Sequence, residues 1–369
     1  MKITGVDSIG LKASLKTPWK ASGFYITETT STIVRITTDK GLTGYGECLA
    51  RFTTKITSSI VDHILKPLIV GRDPFDVECI WDDMFNTMRT KGHSKGFFIE
   101  AMSGVDIALW DLMGKATNLP VYKLLGGKTR ETVKAYASAL LFHDRDTLKR
   151  EANRLVEAGY TAIKMKVGLG LEEDLANIAT VRSQIGLGII LMVDANSGFQ
   201  APWAACLSKA MEQYAIHWFE EPVPPDDIDG YAVLSHAHGV PLAAGESEFT
   251  RFGFRDLITR SDVLYLQPDV ARAGGISEFI KIAALASAHN RLVSPHVGAS
   301  GAICAAASLQ LAATLPHFTL FEDMIIENPL RTDITQEPLP SMHNGLITIP
   351  DAPGMGIEID ESQLTQYRE

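Results

Sequence analysis

Three carboxylates stand at equal intervals in this chain. Asp194, Glu220 and Glu246 are each 26 residues apart (220 − 194 = 246 − 220 = 26), and each directly follows a short apolar run, over residues 189–193, 216–219 and 241–245. An interval of that length holds one strand, one helix and two loops. The spacing therefore predicts three successive strands of one parallel sheet, each ending in an acid. Three anionic oxygens brought to one rim make a donor set suited to a hard divalent cation. Upstream, Lys164-Met165-Lys166 closes another apolar run, and strand alternation puts both lysines on the same side, facing the interior. Downstream, further runs end in Gln267-Pro268-Asp269, Pro295-His296-Val297 and Phe321-Glu322-Asp323. Buried charges are costly unless paired or bound to metal, so a row of strand ends carrying ionisable groups marks a site rather than a scaffold.

The elements that would position these groups fall into two parts. Residues 3 to 39 alternate in the β manner, as in Thr32-Ile33-Val34-Arg35-Ile36-Thr37, and a turn and third strand follow over 41–47. Residues 56–116 read as helices, with Ile60, Ile64 and Leu68 at helical spacing, then Val105, Ala108, Leu109 and Leu112. Strands followed by helices predict an α+β capping domain over 1–130, closed by the glycine stop of Leu124-Leu125-Gly126-Gly127. From Val133 the rhythm becomes strand, helix, strand, helix. Strands are expected near 133–139, 161–166, 188–193, 216–220, 241–245, 263–267, 291–295 and 318–322. That period predicts a parallel α/β barrel over 131–339, a modified TIM barrel of (β/α)7β type, with residues 340–369 packing back on the cap. Chemistry in such barrels sits at the carboxyl ends of the strands.

On these residues the chain resembles the enolase superfamily, in its mandelate racemase subgroup. The likeness covers essentially the whole length: the cap, the Lys-x-Lys pair, the three acids, the Asp/His pair on strands six and seven, and the closing Pro353-Gly354-Met355-Gly356-Ile357-Glu358. It implies Mg²⁺ held by Asp194, Glu220 and Glu246, and removal of the proton α to a substrate carboxylate to give a metal-stabilised enediolate. Lys166 is the expected base on one face. Lys164, a cation two residues away, is expected to lower the pKa of Lys166 and to touch the substrate carboxylate. His296 is expected on the opposite face, oriented by Asp269. Glu322 is the expected acid that hydrogen-bonds the substrate carboxylate. Asn196 and Glu221 are expected to support the metal ligands. Trp19 and Phe52, in mobile cap loops over 17–27 and around Arg51, and His93, in the basic stretch 89–96, are the expected substrate contacts.

Three reactions share that first step: dehydration of an acid sugar (aldonate or aldarate) to a 2-keto-3-deoxy acid, which the overall pattern favours; racemisation or epimerisation of a 2-hydroxy acid; and lactone cycloisomerisation. Two readings lie outside the family, a Schiff-base aldolase with Lys166 as nucleophile and a non-catalytic carboxylate-binding barrel. The metal trio and the intact set of bases count against them. Composition bounds the rest. The 369 residues are 46% hydrophobic, sufficient for a large core, and the net charge of −10 without a basic run argues against nucleic acid. Cys48, Cys79, Cys206 and Cys304 are scattered, unlike a disulfide framework or zinc cluster. With no expected membrane span and no signal-like start, a cytoplasmic homo-oligomer, from dimer to octamer, acting on a small carboxylic acid is expected. His236 and His238 imitate a metal-binding pair but fall in a helix or loop before the fifth barrel strand, where a surface role is expected.

Overall fold

The protein is described by a computed structural model over residues 1–21, 24–237 and 239–369; His238 lies outside the described residues. The cap is an antiparallel sheet, β1 (Ile3–Ala21), β2 (Phe24–Thr38) and β3 (Thr43–Leu49), in the order β1-β2-β3. Both faces are covered, and the alternation of the strands shows it. Val6, Val34 and Ile36 turn toward the cap helices, while Ile9, Leu11 and Ile33 turn toward the barrel core. The first cap helices are α1 (Lys55–Ile60) and α2 (Lys66–Ile69), joined by a wider π turn over Val61–Leu65, then α3 (Val77–Arg89), α4 (Phe97–Thr117) and α5 (Val121–Leu124). Helix α4 is apolar nearly all round and nearly fully buried. Its fit against β3 needs two glycines. A Cβ on Gly46 would stand 1.9 Å from Gly104 O, and one on Gly104 would stand 2.4 Å from Cys48 Sγ.

The barrel strands are β4 (Thr132–Leu140), β5 (Ala162–Lys166), β6 (Ile190–Asp194), β7 (Ile216–Glu220), β8 (Leu242–Ala244), β9 (Tyr265–Leu266), β10 (Leu292–Val293) and β11 (Phe321–Met324). They pair in parallel in the order β10-β9-β8-β7-β6-β5-β4-β11. A Val293–Phe318 bridge and the Thr319 N–H on Val293 O (3.0 Å) join the two ends of that row. Seven helices lie between the eight strands: α6 (Arg145–Glu157), α7 (Leu171–Ile185), α8 (Ala201–Met211), α9 (Ile228–His236), α10 (Thr250–Ser261), α11 (Gly275–Ala288) and α12 (Ala302–Thr314). Capping chemistry starts several of them, as where Asp144 accepts from Thr147 N at 2.9 Å and Asp227 from Gly230 N at 2.9 Å. After β11 come only α13 (Pro329–Thr332), then β12 (Leu346–Thr348), antiparallel to β4, and α14 (Glu361–Gln366). Inside the barrel Tyr136, Ala162, Met192, Trp218, Ala243 and Tyr265, one from each of six strands, pack with Leu320 into a plug. The site is built on top of it.

The hairpin of the cap departs from the expected loop over 17–27. Pairing continues through Trp19↔Ile26 and Lys20↔Tyr25 after an irregularity between Ser14 and Trp19, so these residues are arms of two long strands. The backbone partners are there to be used, and a strand is the outcome. Cap and barrel are keyed together by buried polar contacts at the start of α11. Trp81 Nε1 donates to Gly274 O (2.8 Å), Gly274 N donates to Ser103 Oγ (2.9 Å), and Asp106 accepts from Ser277 N (2.9 Å) and Ser277 Oγ (2.6 Å). The tail packs back on the cap, with Met355 N donating to Asp111 Oδ1 (2.9 Å) and Glu369 N to Gly10 O (2.8 Å). Among the described residues no helix is long and apolar enough to cross a membrane.

Burial pushes the Asp106 carboxyl up from 3.8 to about 7, against the Ser277 hydrogen bonds that lower it. The folded chain thus binds this proton more tightly than the unfolded chain. The stabilisation is complete below the unfolded pKa and is lost as pH rises through the folded one. Asp106→Asn, which does not titrate, should gain stability relative to the native chain as pH rises from about 4 to about 7. Urea midpoints across that range check it; a difference that stays constant with pH would refute it.

Candidate active site

Period-two alternation at the strand ends assembles the site. On β5, Ala162 joins the barrel plug and Ile163 and Met165 the outer core, so Lys164 and Lys166 turn inward above Ala162. On β6 and β7, Met192 and Trp218 point into the plug and Leu191, Val193 and Phe219 point out, which leaves Asp194 and Glu220 inside. Register then makes a row: Lys166 is paired with Asp194, and Asp194 with Glu220. Glu246 follows β8. Oxygens of Asp194, Glu220 and Glu246 all lie within 4.8 Å of one another, and all three residues are buried. An all-carboxylate set at this separation fits a hard divalent cation.

The electrostatics fit it too. Asp194, Glu220, Glu221, Glu246 and Glu322 are all buried here, against two lysines. Burial and the neighbouring acids Asp194, Glu322 and Glu246 push Glu220 up to about 7 despite Lys164. Burial and the charges of Glu246, Asp194 and Glu220 push Glu221 well above the usual carboxylate range. Asp194 goes the other way: burial opposes its charge, but Lys166 and Lys164 hold it down at about 2. Its Oδ2 lies 2.6 Å from Lys166 Nζ and 3.4 Å from Lys164 Nζ. The two ammonium groups, on the same inward side as alternation predicts, share this one carboxylate oxygen. Lys164, fully buried, also bonds Glu220 and, at 3.0 Å, Glu322. Burial opposes its charge, and Glu220, Glu322 and Asp194 override that and hold its pKa well above the usual lysine value.

His296 stands across the barrel, on β10's end, with the triad's strands between it and Lys166 on the β6–β8 side. Its Nδ1 is 2.8 Å from Asp269 Oδ2, and its Nε2 is 3.6 Å from Glu246 Oε2. Burial lowers its pKa, but Glu246, Glu322 and Asp269 outweigh that and push it up to about 9. Glu322 is held by four donors. Its Oε2 accepts from Val297 N (2.7 Å) and Gly298 N (2.8 Å), and its Oε1 accepts from Ser138 Oγ (2.7 Å) and from Lys164. Burial works against the charge, yet Lys164, His296 and these donors hold Glu322 well below the usual carboxylate range. It is an ionised acceptor that fixes Lys164 and the loop after His296.

A cavity of about 410 Å³ opens above these groups. Lys164, Lys166, Asp194, Asn196, Glu246, His296 and Glu322 line its floor and walls. Trp19, Thr29, Arg51 and Phe52 come from the cap. Asn196 is held at positive φ, its N–H donates to Asp194 Oδ1 (2.9 Å), and its Oδ1 is buried without a partner among the described residues. Phe52 is also at positive φ and 88% exposed at the mouth. Glu221 does not line the cavity, and Asp269 stands behind His296. His93 is exposed and outside the lining. The neighbouring Lys95 instead pairs with Glu248 at 2.7 Å.

Several supporting residues had no assigned role in the sequence reading. Trp218 Nε1 (2.9 Å) and Gln267 Nε2 (2.8 Å) donate to Glu220 Oε2; inward parity alone pointed to Trp218. Asp174 accepts from the N–H groups of Gly168, Leu169 and Gly170 at 3.0–3.1 Å, which pins the loop after Lys166. Its signal was the acidic first turn behind two glycines.

Comparison with known proteins agrees with this geometry. Residues 147–363 match the family described as Enolase C-terminal domain-like, and residues 7–126 match the Mandelate racemase / muconate lactonizing enzyme, N-terminal domain. The D-galactarolactone cycloisomerase of Agrobacterium fabrum is 38% identical, over 100% of this chain and 99% of that protein. The arabinonate dehydratase of Saccharolobus solfataricus is 34% identical, over 90% and 89%. The crystal structure of a racemase from Streptomyces coelicolor A3(2) with bound magnesium superposes with a TM-score of 0.91 at 30% identity, covering all of both chains.

A divalent ion on the triad should stabilise the fold by mass action, by about 2.7 kcal/mol at a hundredfold excess over Kd. Millimolar Mg²⁺ should raise Tm and EDTA should reverse the rise. Asp194→Ala should keep the native circular dichroism spectrum and lose the Mg²⁺-dependent increment. An increment that survives in Asp194→Ala would remove the triad as the metal site.

Proposed function

Because the chain belongs to the enolase superfamily, in the mandelate racemase subgroup, we propose that it removes the proton α to the carboxylate of an acid sugar and expels the β-hydroxyl, giving a 2-keto-3-deoxy acid. One observation carries this reading. Lys166 and His296 reach into one cavity from separate walls, with the carboxylate triad on the strands between them. Asp194, Glu220 and Glu246 would hold Mg²⁺, a choice supported by their all-oxygen donor set and by the magnesium in the Streptomyces relative. When bound, it would supply a Lewis acid for the charge that develops on the substrate carboxylate.

The chain's own groups do the rest. Lys166 Nζ takes the α-proton, close to the triad through its contact with Asp194. Lys164 stays cationic and faces the substrate carboxylate, held in place by Glu220 and Glu322. His296, whose pKa Glu246, Glu322 and Asp269 raise against the opposing effect of burial, gives its Nε2 proton to the departing oxygen. Asp269 fixes the ring so that Nε2 points into the cavity. The substrate is a small carboxylic acid, and the enzyme is read as a cytoplasmic homo-oligomer with no nucleic-acid or membrane partner.

A second reading has an observation of its own. The relative matched at 38% identity over both full lengths is a cycloisomerase acting on D-galactarolactone. The same two groups would serve it, with His296 protonating the carboxylate that leaves when a lactone opens.

Lys166→Ala and His296→Asn should each abolish turnover while keeping the Mg²⁺-dependent rise in Tm. Proton NMR with Mg²⁺ in D₂O, run against aldonic, aldaric and aryl 2-hydroxy acids and galactarolactone, names the reaction. Loss of a hydroxyl with deuterium at C3 identifies a dehydratase, ring opening without loss of water a cycloisomerase, and deuterium at C2 with the hydroxyl retained a racemase or epimerase. Full activity in His296→Asn would sink the two-group mechanism.

A further inference from the structure

The helix that follows the His296 strand has no N-cap side chain of its own. Gly301 holds that position, and nothing larger fits: a Cβ there would stand 2.8 Å from Leu330 O and 3.0 Å from Glu47 Oε1. The orphan amides of the first turn are satisfied from the other domain. Gly301 N donates to Glu47 Oε1 at 2.6 Å and Cys304 N to Glu47 Oε2 at 2.9 Å. Glu47 lies on β3 of the cap, is fully buried, and takes a third hydrogen bond from Ser31 Oγ at 2.9 Å.

The same turn reaches the catalytic pair. Cys304 Sγ stands 3.6 Å from Asp269 Oδ1, which also accepts from Ala271 N at 2.8 Å. With Oδ1 engaged from two directions, Oδ2 faces His296 Nδ1 at 2.8 Å and the Ser300 hydroxyl at 3.5 Å. Burial raises the Cys304 thiol well above its usual value, so sulfur carries a proton to donate. A carboxylate oxygen held by one donor leaves the group more freedom to turn about its Cβ–Cγ bond and carry the imidazole with it than one held by the Ala271 amide and the Cys304 thiol together. Misplacement of that kind is costly to catalysis.

We propose that Glu47 and Cys304 are positioning residues for the Asp269–His296 pair: the cap carboxylate fixes the first turn of α12, and the Cys304 thiol in that turn sets the carboxylate plane that orients the ring. This rests on the reading of His296 as proton donor. The consequence is specific to one half of the reaction. Slowing the His296 step lets the intermediate return through Lys166, so that the recovered substrate gains solvent deuterium at its α-carbon.

The test is kinetic and structural. With Mg²⁺ in D₂O, on D-galactonate, arabinonate, D-xylonate and D-galactarolactone, Cys304→Ala and Glu47→Gln should lower kcat by roughly tenfold or more, the scale seen for partners that orient active-site ligands. KM should stay nearly constant, and the ratio of α-deuterium exchange to product should rise. Cys304→Ser, which restores a donor, should recover both. Exchange and turnover falling together, or Cys304→Ser behaving like Cys304→Ala, would overturn the proposal. A crystal structure of Cys304→Ala judges it without any substrate: a displaced His296 ring supports it, and an unmoved ring with the 2.8 Å contact to Asp269 intact refutes it. If the native enzyme neither exchanges nor converts any of these acids, the functional reading fails, and the crystal structure still decides the positioning role.

Discussion

Everything at the barrel mouth depends on concentrated negative charge kept out of water. Asp194, Glu220, Glu246 and Glu322 sit together with almost no exposure, and such charges persist in a protein only when cations or hydrogen-bond donors meet them. The neighbourhood can be read as the list of those partners. Lys164 serves three acids, Trp218 and Gln267 finish Glu220, and the amides of Val297 and Gly298 finish Glu322. Compensation is uneven: the two lysines hold Asp194 down, while burial and the neighbouring acids push Glu220 up.

The cap takes part in this arrangement beyond roofing the cavity. Asp106 and Glu47, both buried cap carboxylates, receive the first-turn amides of α11 and α12, the helices that follow the strands of Asp269 and His296. Arg51 approaches Glu246 at 3.6 Å. A lyase or isomerase of this superfamily must hold a base and an acid at fixed separation, and here one domain anchors the elements that carry the other domain's side chains.

Much of this was legible in the sequence, for a definite reason. Residues that end strands project by strict alternation, so the inward set Lys164, Lys166, Asp194 and Glu220 follows once the strands are placed, and their starts and stops are written in short apolar runs. What alternation does not encode is who meets whom at long range. Glu47 reads as a polar residue on a cap strand, and its burial against Gly301 depends on the docking of two domains. Cys304 reads as one more small residue in an alanine-rich helix. Glu322 lies where alternation puts it, but its ionisation is favoured by Lys164 and His296 first, then by the Val297 amide and Ser138, groups from three other segments. The stretch 17–27 misleads for the opposite reason: its turn-forming residues suggest a loop, while cross-strand pairing from Trp19 to Ile26 makes it a ribbon.

That ribbon changes the thermodynamics of ligand capture. A roof made of loose chain must be ordered when a ligand arrives, at roughly 1–2 kcal/mol of backbone entropy per residue fixed, and weak ligands then fail to close it. Here Trp19 is already tied to Ile26, and Lys16 N to the Glu327 carboxylate at 3.1 Å. Little ordering remains to be done in those arms, so affinity can follow the fit between ligand and walls more directly. Discrimination among acids of similar length then falls to shape and hydroxyl stereochemistry.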